Sequence, residues 1–372
     1  MSLSTLKGAH ELSDRFKKYQ TEFFQAMQQR ADKAGFRAWV IGSGNDKAKA
    51  LELMELFKRH QIEFQALNAE INANGQVFRP GHAWVIPVNQ RQFGLAQAML
   101  ESRTQFEDNT FYDVSAWSLA MAYDLPVAKL SRLPATSDGS PALTSNAPDP
   151  EAVAWIISWQ QLNAAALLQD LHQAGANVRI ATKPFSISDG PASISFSEGA
   201  LVLLTGLQDK EKAAIIFDTL KNADVIVHSF NSQLTTTGPG LGTSHFKKAE
   251  AINPLLIVGQ GTRSYDAGEA WFQLDQRLGV APLMVDMSRL KSVDLHDYTH
   301  LLMVNGRYDD IGKRLKHDIA SWVNDGGVLV TIQGAAEWAE TLCFNGADCN
   351  EKYDEKEETG GPSKPCRQDG SR

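Results

Sequence analysis

Gly261, Ser264, Asn305, Arg307 and Asp309 stand just after two short apolar runs and offer the best-placed polar chemistry in this sequence. Arg307 beside Asp309 could grip a ligand that carries its own carboxylate, such as a peptide terminus, because a guanidinium presents a planar fork of donors. A turn with two solvated charges would read the same way. Gly42-Ser43-Gly44 and Gly259-Gln260-Gly261 are Gly-x-Gly turns that could lead a phosphate to a helix start. Neither completes Gly-x-Gly-x-x-Gly, since Lys47 and Ser264 hold the last place. Tight strand-to-helix turns are therefore expected, with Ser264 capping the helix that contains Asp266 and Glu269.

Metal and covalent chemistry have weaker support. His60-Gln61-Ile62-Glu63 has the His-x-x-Glu spacing of carboxypeptidase-type zinc ligands, and His172 follows about a hundred residues later. His60 is expected to end a helix and Glu63 to begin a strand, so their side chains should diverge, and no metal site is assigned to this chain. A nucleophile elbow after the apolar run at 328–332 would need a thiol or hydroxyl at its tip, and Thr331-Ile332-Gln333-Gly334-Ala335 supplies neither there. No catalytic residue is assigned. The aromatic and acidic segment at 106–119 could form a ligand wall with Asp108 and Asp113 as polar hooks. A capped loop docking aromatics into the core is the favoured reading.

These residues need a scaffold, and the apolar pattern supplies an α/β one. One long helix is expected over 5–34. A β-α-β-β-α unit follows, with strands at 36–41, 62–67 and 83–87 and helices at 46–59 and 91–101. The same order recurs with Ala154-Trp155-Ile156-Ile157 matching Ala38-Trp39-Val40-Ile41, and Phe196-Ser197-Glu198-Gly199 matching Phe78-Arg79-Pro80-Gly81. Its helices are expected at 162–173 and 209–222, and its last strand at 225–227. An internal duplication is the reading, with the two copies sharing one sheet or packing together. A third block alternates apolar runs at 255–258, 282–285, 301–304 and 328–332 with helices at 265–278 and 311–324. That implies a flavodoxin-like parallel sheet, which binds ligands at the carboxyl ends of its strands. The expected organisation is an N-terminal helix (1–35), repeat 1 (36–130), a linker (131–150), repeat 2 (151–232), the parallel-sheet domain (253–342) and a disordered polar tail (343–372). The parallel-sheet domain reads as incomplete at its C-terminus.

The chain has 372 residues and a formal net charge of -8, which gives it no broad attraction for nucleic acid. No apolar run approaches the ~20 residues that cross a bilayer. Met1-Ser2-Leu3-Ser4 leads into polar sequence with no export signal, so the compartment stays open. Cys343, Cys349 and Cys366 are the three cysteines. Their spacing fits no common zinc site.

Several strings resemble the region after the catalytic domain of large bacterial zinc carboxypeptidase-like proteins of the carboxypeptidase A family. They are the segment 106–119 with Leu125-Pro126, Phe78-x-x-Gly81 with Val85-Ile86-Pro87, and Gly261-Thr262-Arg263-Ser264-Tyr265-Asp266-Ala267-Gly268-Glu269-Ala270-Trp271 with Leu274-Asp275-Gln276-Arg277. The resemblance spans about residues 5–342. It implies that the last domain is similar to a class I glutamine amidotransferase without its nucleophile. It also implies an exported parent protein whose zinc and catalytic residues lie in an upstream domain. No cofactor is expected in this chain. The expected partners are that upstream catalytic domain and a peptide substrate. The reading is a non-catalytic accessory region for docking, regulation or assembly. The alternatives are a peptide- or small-ligand-binding module and a free-standing amidotransferase- or hydrolase-type enzyme.

Overall fold

The computed structural model describes residues 2–44, 46–102, 118–137, 147–188 and 193–342. The readings made for the aromatic segment at 106–117, for much of the linker and for the tail with its three cysteines lie outside the described residues. The chain is mixed α/β and divides into two compact units, residues 1–164 with 179–247, and residues 165–178 with 248–372.

The first unit opens with α1 (Ser2–Glu11) and α2 (Ser13–Asp32), so the single helix expected over 5–34 is broken at Leu12. Phe16, Tyr19 and Phe23 of α2 remain exposed. Farther along, Arg91 lies over the Phe24 ring at 4.3 Å. The first sheet is built from β1 (Ala38–Gly42), β2 (Gln65–Leu67), β5 (Ala83–Pro87), β6 (Val127–Leu130) and β7 (Thr136–Ser137), in the order β6-β1-β5-β2-β7. The pairs β1–β5, β1–β6 and β2–β5 are antiparallel. The hairpin β3 (Ile71–Ala73) and β4 (Gln76–Phe78) lies between β2 and β5 in sequence.

Both faces of the central strands are covered, which is why Ala-Trp-Val-Ile reads as a continuous apolar run rather than an alternating one. Trp39, Ile41, Trp84 and Ile86 pack with Leu53, Met54 and Phe57 of α3 (Lys47–Arg59) and Phe93, Ala96 and Leu100 of α4 (Phe93–Leu100). Ala120 of the short helix α5 (Leu119–Ala122) joins them. Val40 and Val85 face the other way, toward Phe78 and Ile71 of the hairpin.

The second sheet is separate from the first, so the two stretches expected as copies do not share one sheet. It contains β8 (Ala154–Ile157), β9 (Arg179–Ala181), β12 (Leu201–Leu204), β13 (His228–Phe230) and β15 (Phe246–Lys248). Its order, β13-β8-β12-β9-β15, follows the first sheet place by place. Between β8 and β9 the chain runs through α6 (Ala164–Gln173), most of which belongs with the second unit. Here too a hairpin, β10 (Phe185–Ser188) with β11 (Ser193–Phe196), covers one face. β14 (Thr235–Thr237) extends it on the other side of β10. Phe185, Ile187 and Phe196 pack with Ile156, Val202 and Leu204. On the opposite face Phe217 of α7 (Ala213–Asn222) meets Trp155 at 6.1 Å. The strand expected at 225–227 is displaced to β13. Ile226 is held there by Gln161, whose amide bonds both its N–H and its carbonyl, so those backbone groups are not free for a ladder.

The second unit holds a four-stranded parallel sheet: β16 (Pro254–Val258), β17 (Leu283–Asp286), β18 (His300–Met303) and β19 (Val328–Thr331). The order is β17-β16-β18-β19, with parallel registers throughout. Leu256, Val258, Leu302 and Val304 face Ala267, Ala270 and Trp271 of α8 (Ser264–Trp271). Leu255, Ile257, Leu301 and Met303 face Ile319 and Trp322 of α9 (Lys313–Asn324) and Ala335 and Trp338 of α10 (Gly334–Ala339). The helix expected over 265–278 is two pieces, α8 and a π-helical stretch at Phe272–Arg277.

Candidate functional site

The carboxyl ends of the parallel strands come together around the Gly259-Gln260-Gly261 turn. Order reverses beside β16, because its successors in the chain lie on either side of it. That is where open parallel sheets present a crevice. Arg307 N donates to Gly261 O at 2.9 Å, and Arg263 N donates to Asn305 O at 2.8 Å. These reciprocal bonds clamp the loop after β16 to the loop after β18. Gly261 has φ +95, and a Cβ there would sit 2.9 Å from Arg307 O, so the clamp requires glycine.

The structure thus brings Gly261, Asn305 and Arg307 together through their backbones. The Arg307 and Asp309 side chains are exposed, and neither forms an ion pair among the described residues. Ser264 is not the helix cap. Arg263 takes that place with an extended backbone, held by its bond to Asn305, and Ser264 is the first residue of α8. Ala267 N therefore donates to Arg263 O.

A cavity of about 750 Å³ opens at the same end of the sheet. Gln260, Asp286, Lys291, Asp310, Arg314 and Asp318 supply its polar lining, together with Met287, Ile311 and Leu315. None of the five residues singled out from sequence lines it, although Gln260 and Asp310 adjoin two of them. Asp286 ends β17 and caps the following 3-10 turn. Its Oδ1 accepts from Ser288 Oγ at 2.6 Å and Ser288 N at 2.9 Å. Those bonds, the side-chain one first, hold its carboxyl below the usual carboxylate range, and the Arg289 charge adds to them. Arg314 and Asp318 lie one turn apart on α9, 4.0 Å from each other. The apolar positions Leu315, Ile319 and Trp322 fix which face of that helix turns toward the sheet. Lys291, Arg314 and Asp318 escaped the sequence reading because Lys291 lies on a different segment from the Arg314–Asp318 pair, and only folding brings them to one cavity. The signal present was the Arg314–Asp318 spacing at a helix start.

After β19 the chain turns sharply into α10 through Gln333, with φ 52 and ψ -119. A non-glycine residue with positive φ at a strand-to-helix turn is the geometry of a nucleophile elbow. Gln333 is exposed. Gly334 must follow it, because a Cβ there would meet Gly306 O at 2.6 Å. The side chain at the tip is an amide, so it offers no nucleophile for acyl transfer. Nearby, Tyr308 is buried and donates to Val304 O at 2.6 Å. Burial pushes its phenol up to about 12.

In the first unit, the Gly42-Ser43-Gly44 turn leads to α3, whose N-terminus already holds a carboxylate. Asp46 Oδ1 accepts from Ala48 N at 3.0 Å and from Lys49 N at 3.4 Å. A phosphate there would meet that charge. His60 is the C-terminal cap of α3. The backbone N–H and carbonyl of Glu63 are held by the Gln90 amide. Among the described residues no group of three or more His, Cys, Asp or Glu side chains is placed to hold a metal ion, and none of the helices among them is long and apolar enough to cross a membrane.

Comparison with family models, with curated proteins and with solved structures finds no match to this chain.

Proposed function

We propose that this chain is a non-catalytic accessory region that docks a small zwitterionic ligand, such as a peptide terminus, for a zinc carboxypeptidase-like parent protein. The observation that carries the reading is Gln333. It sits where a parallel sheet of this kind would present its nucleophile, and it is an amide. The cavity at the carboxyl end of the same sheet carries charges of both signs, Asp286 and Asp310 with Lys291 and Arg314, which suits a ligand that bears both an ammonium and a carboxylate.

The β17-β16-β18-β19 order supports a flavodoxin-like, amidotransferase-like assignment for the last domain. The equal strand orders of the two other sheets support duplication. In the parent, zinc belongs to the catalytic domain, and this chain contributes none of its ligands. The exposed Phe16, Tyr19 and Phe23 stripe of α2 suits a contact with that domain, because buried aromatics dominate stable interfaces.

Isothermal titration with unblocked dipeptides tests the reading. Binding without hydrolysis is expected, and Arg314→Ala should weaken it by about ten-fold. Hydrolysis of peptide or amide bonds by the purified chain would overturn the non-catalytic assignment. Unchanged affinity in Arg314→Ala would remove the ligand from this cavity.

A further inference from the structure

Arg179 opens β9, with Val202 of β12 as its ladder partner. In the first sheet the matching place, opposite Val85 of β5, is held by Gln65. Gln65 is neutral, and Thr136 donates to its Oε1 at 2.6 Å. Arg179 puts a half-buried cation there instead. Its Nη1 donates to Phe246 O at 3.2 Å. Its Nε is buried and meets no acceptor. No carboxylate among the described residues lies within ion-pair distance of it. A guanidinium withdrawn from water normally carries an anionic partner, because desolvating an unpaired charge is unfavourable.

The same side chain lines a cavity of about 370 Å³ with Leu204, Gly206, Leu207, Gln233 and Gly242. That volume falls within the range of about 300–1,000 Å³ typical of small-molecule sites. We propose that this cavity binds a small carboxylate with an apolar body, its carboxylate on Arg179 and its hydrocarbon against Leu204 and Leu207. One cation matches one negative charge, and a planar guanidinium pairs with a carboxylate through two parallel hydrogen bonds. Gln233 adds a neutral polar group at the rim. The site is separate from the cavity of the parallel sheet and does not depend on a ligand there.

The full chain should be titrated calorimetrically with 4-methylpentanoate, N-acetylleucine and inorganic phosphate. The two carboxylates distinguish a free organic acid from a blocked peptide terminus. At least one should bind and raise Tm. Arg179→Gln restores the neutral residue found at Gln65, should keep the circular dichroism spectrum, and should weaken that binding by about ten-fold or more. Binding unchanged in Arg179→Gln, absence of binding by both carboxylates, or phosphate displacing them would each overturn the assignment. If Arg179→Gln does not fold, the Nε–H resonance of Arg179 in the unaltered chain decides. It should shift on adding the bound carboxylate, and a stationary signal at saturation would overturn the proposal.

Discussion

The amide of Asn305 reaches from the end of β18 to the start of α10, where its Oδ1 accepts from Gly334 N at 3.3 Å. This bond holds the elbow at Gln333 against the neighbouring loop. Asn305→Ala should cost about 1 kcal/mol in urea denaturation. Gln333→Gly should stabilise by about 0.5–1 kcal/mol, because positive φ disfavours a residue that carries a Cβ. A destabilised Gln333→Gly variant would show that the glutamine side chain makes contacts worth more than the backbone strain.

Asp46 should be among the most sensitive polar positions. One oxygen caps α3 and the other accepts from Leu162 N at 2.6 Å. The residue is buried. Asp46→Ala leaves several N–H groups without an acceptor and should cost about 2–3 kcal/mol by chemical denaturation. Asp46→Asn keeps one oxygen acceptor and should cost less.

Gly261→Ala should be strongly destabilising, since both its φ and the nearness of Arg307 O exclude a side chain. The expected loss is about 2 kcal/mol or more. Hydrogen exchange at Arg263 and Arg307 amides, which form the clamp, should accelerate in this variant. Protection equal to the unaltered chain would refute the clamp.

Stability should fall with acidification. Burial is the first cause that lowers the pKa of His82, His228 and His300 below the ordinary 6.5. For His82 the charges of Lys47 and Arg79 add to it. Each imidazole therefore protonates more readily in the unfolded chain. The resulting stability is fully present above the unfolded pKa of about 6.5 and is lost as pH falls through that value toward the lower folded one. Urea midpoints from pH 8 to 5 should drop, and His228→Gln should flatten the profile. An unchanged slope in that variant would remove His228 as a contributor.

Much of the local structure was legible in the residues. The run Ala38-Trp39-Val40-Ile41 announced a strand, and its echo at Ala154-Trp155-Ile156-Ile157 announced another in the same order, while strand pairing alone decided that the two lie in separate sheets. The apolar pattern announced a helix over 311–324, which forms as α9. Those signals survive because each depends on neighbours within one element, where periodicity alone decides which side chains can be covered. Gly261, Asn305 and Arg307 were also recognisable as loop residues at strand ends. What tertiary structure alone decided was which groups meet. Strand pairing sets Arg179 in the place Gln65 holds in the other sheet, and loop packing brings Asp286, Lys291, Asp310 and Arg314 around one cavity. The Arg263–Asn305 bond keeps Arg263 extended and so moves the start of α8 by one residue. Such outcomes depend on hydrogen bonds and burial between segments far apart in the chain, and no local spacing encodes them.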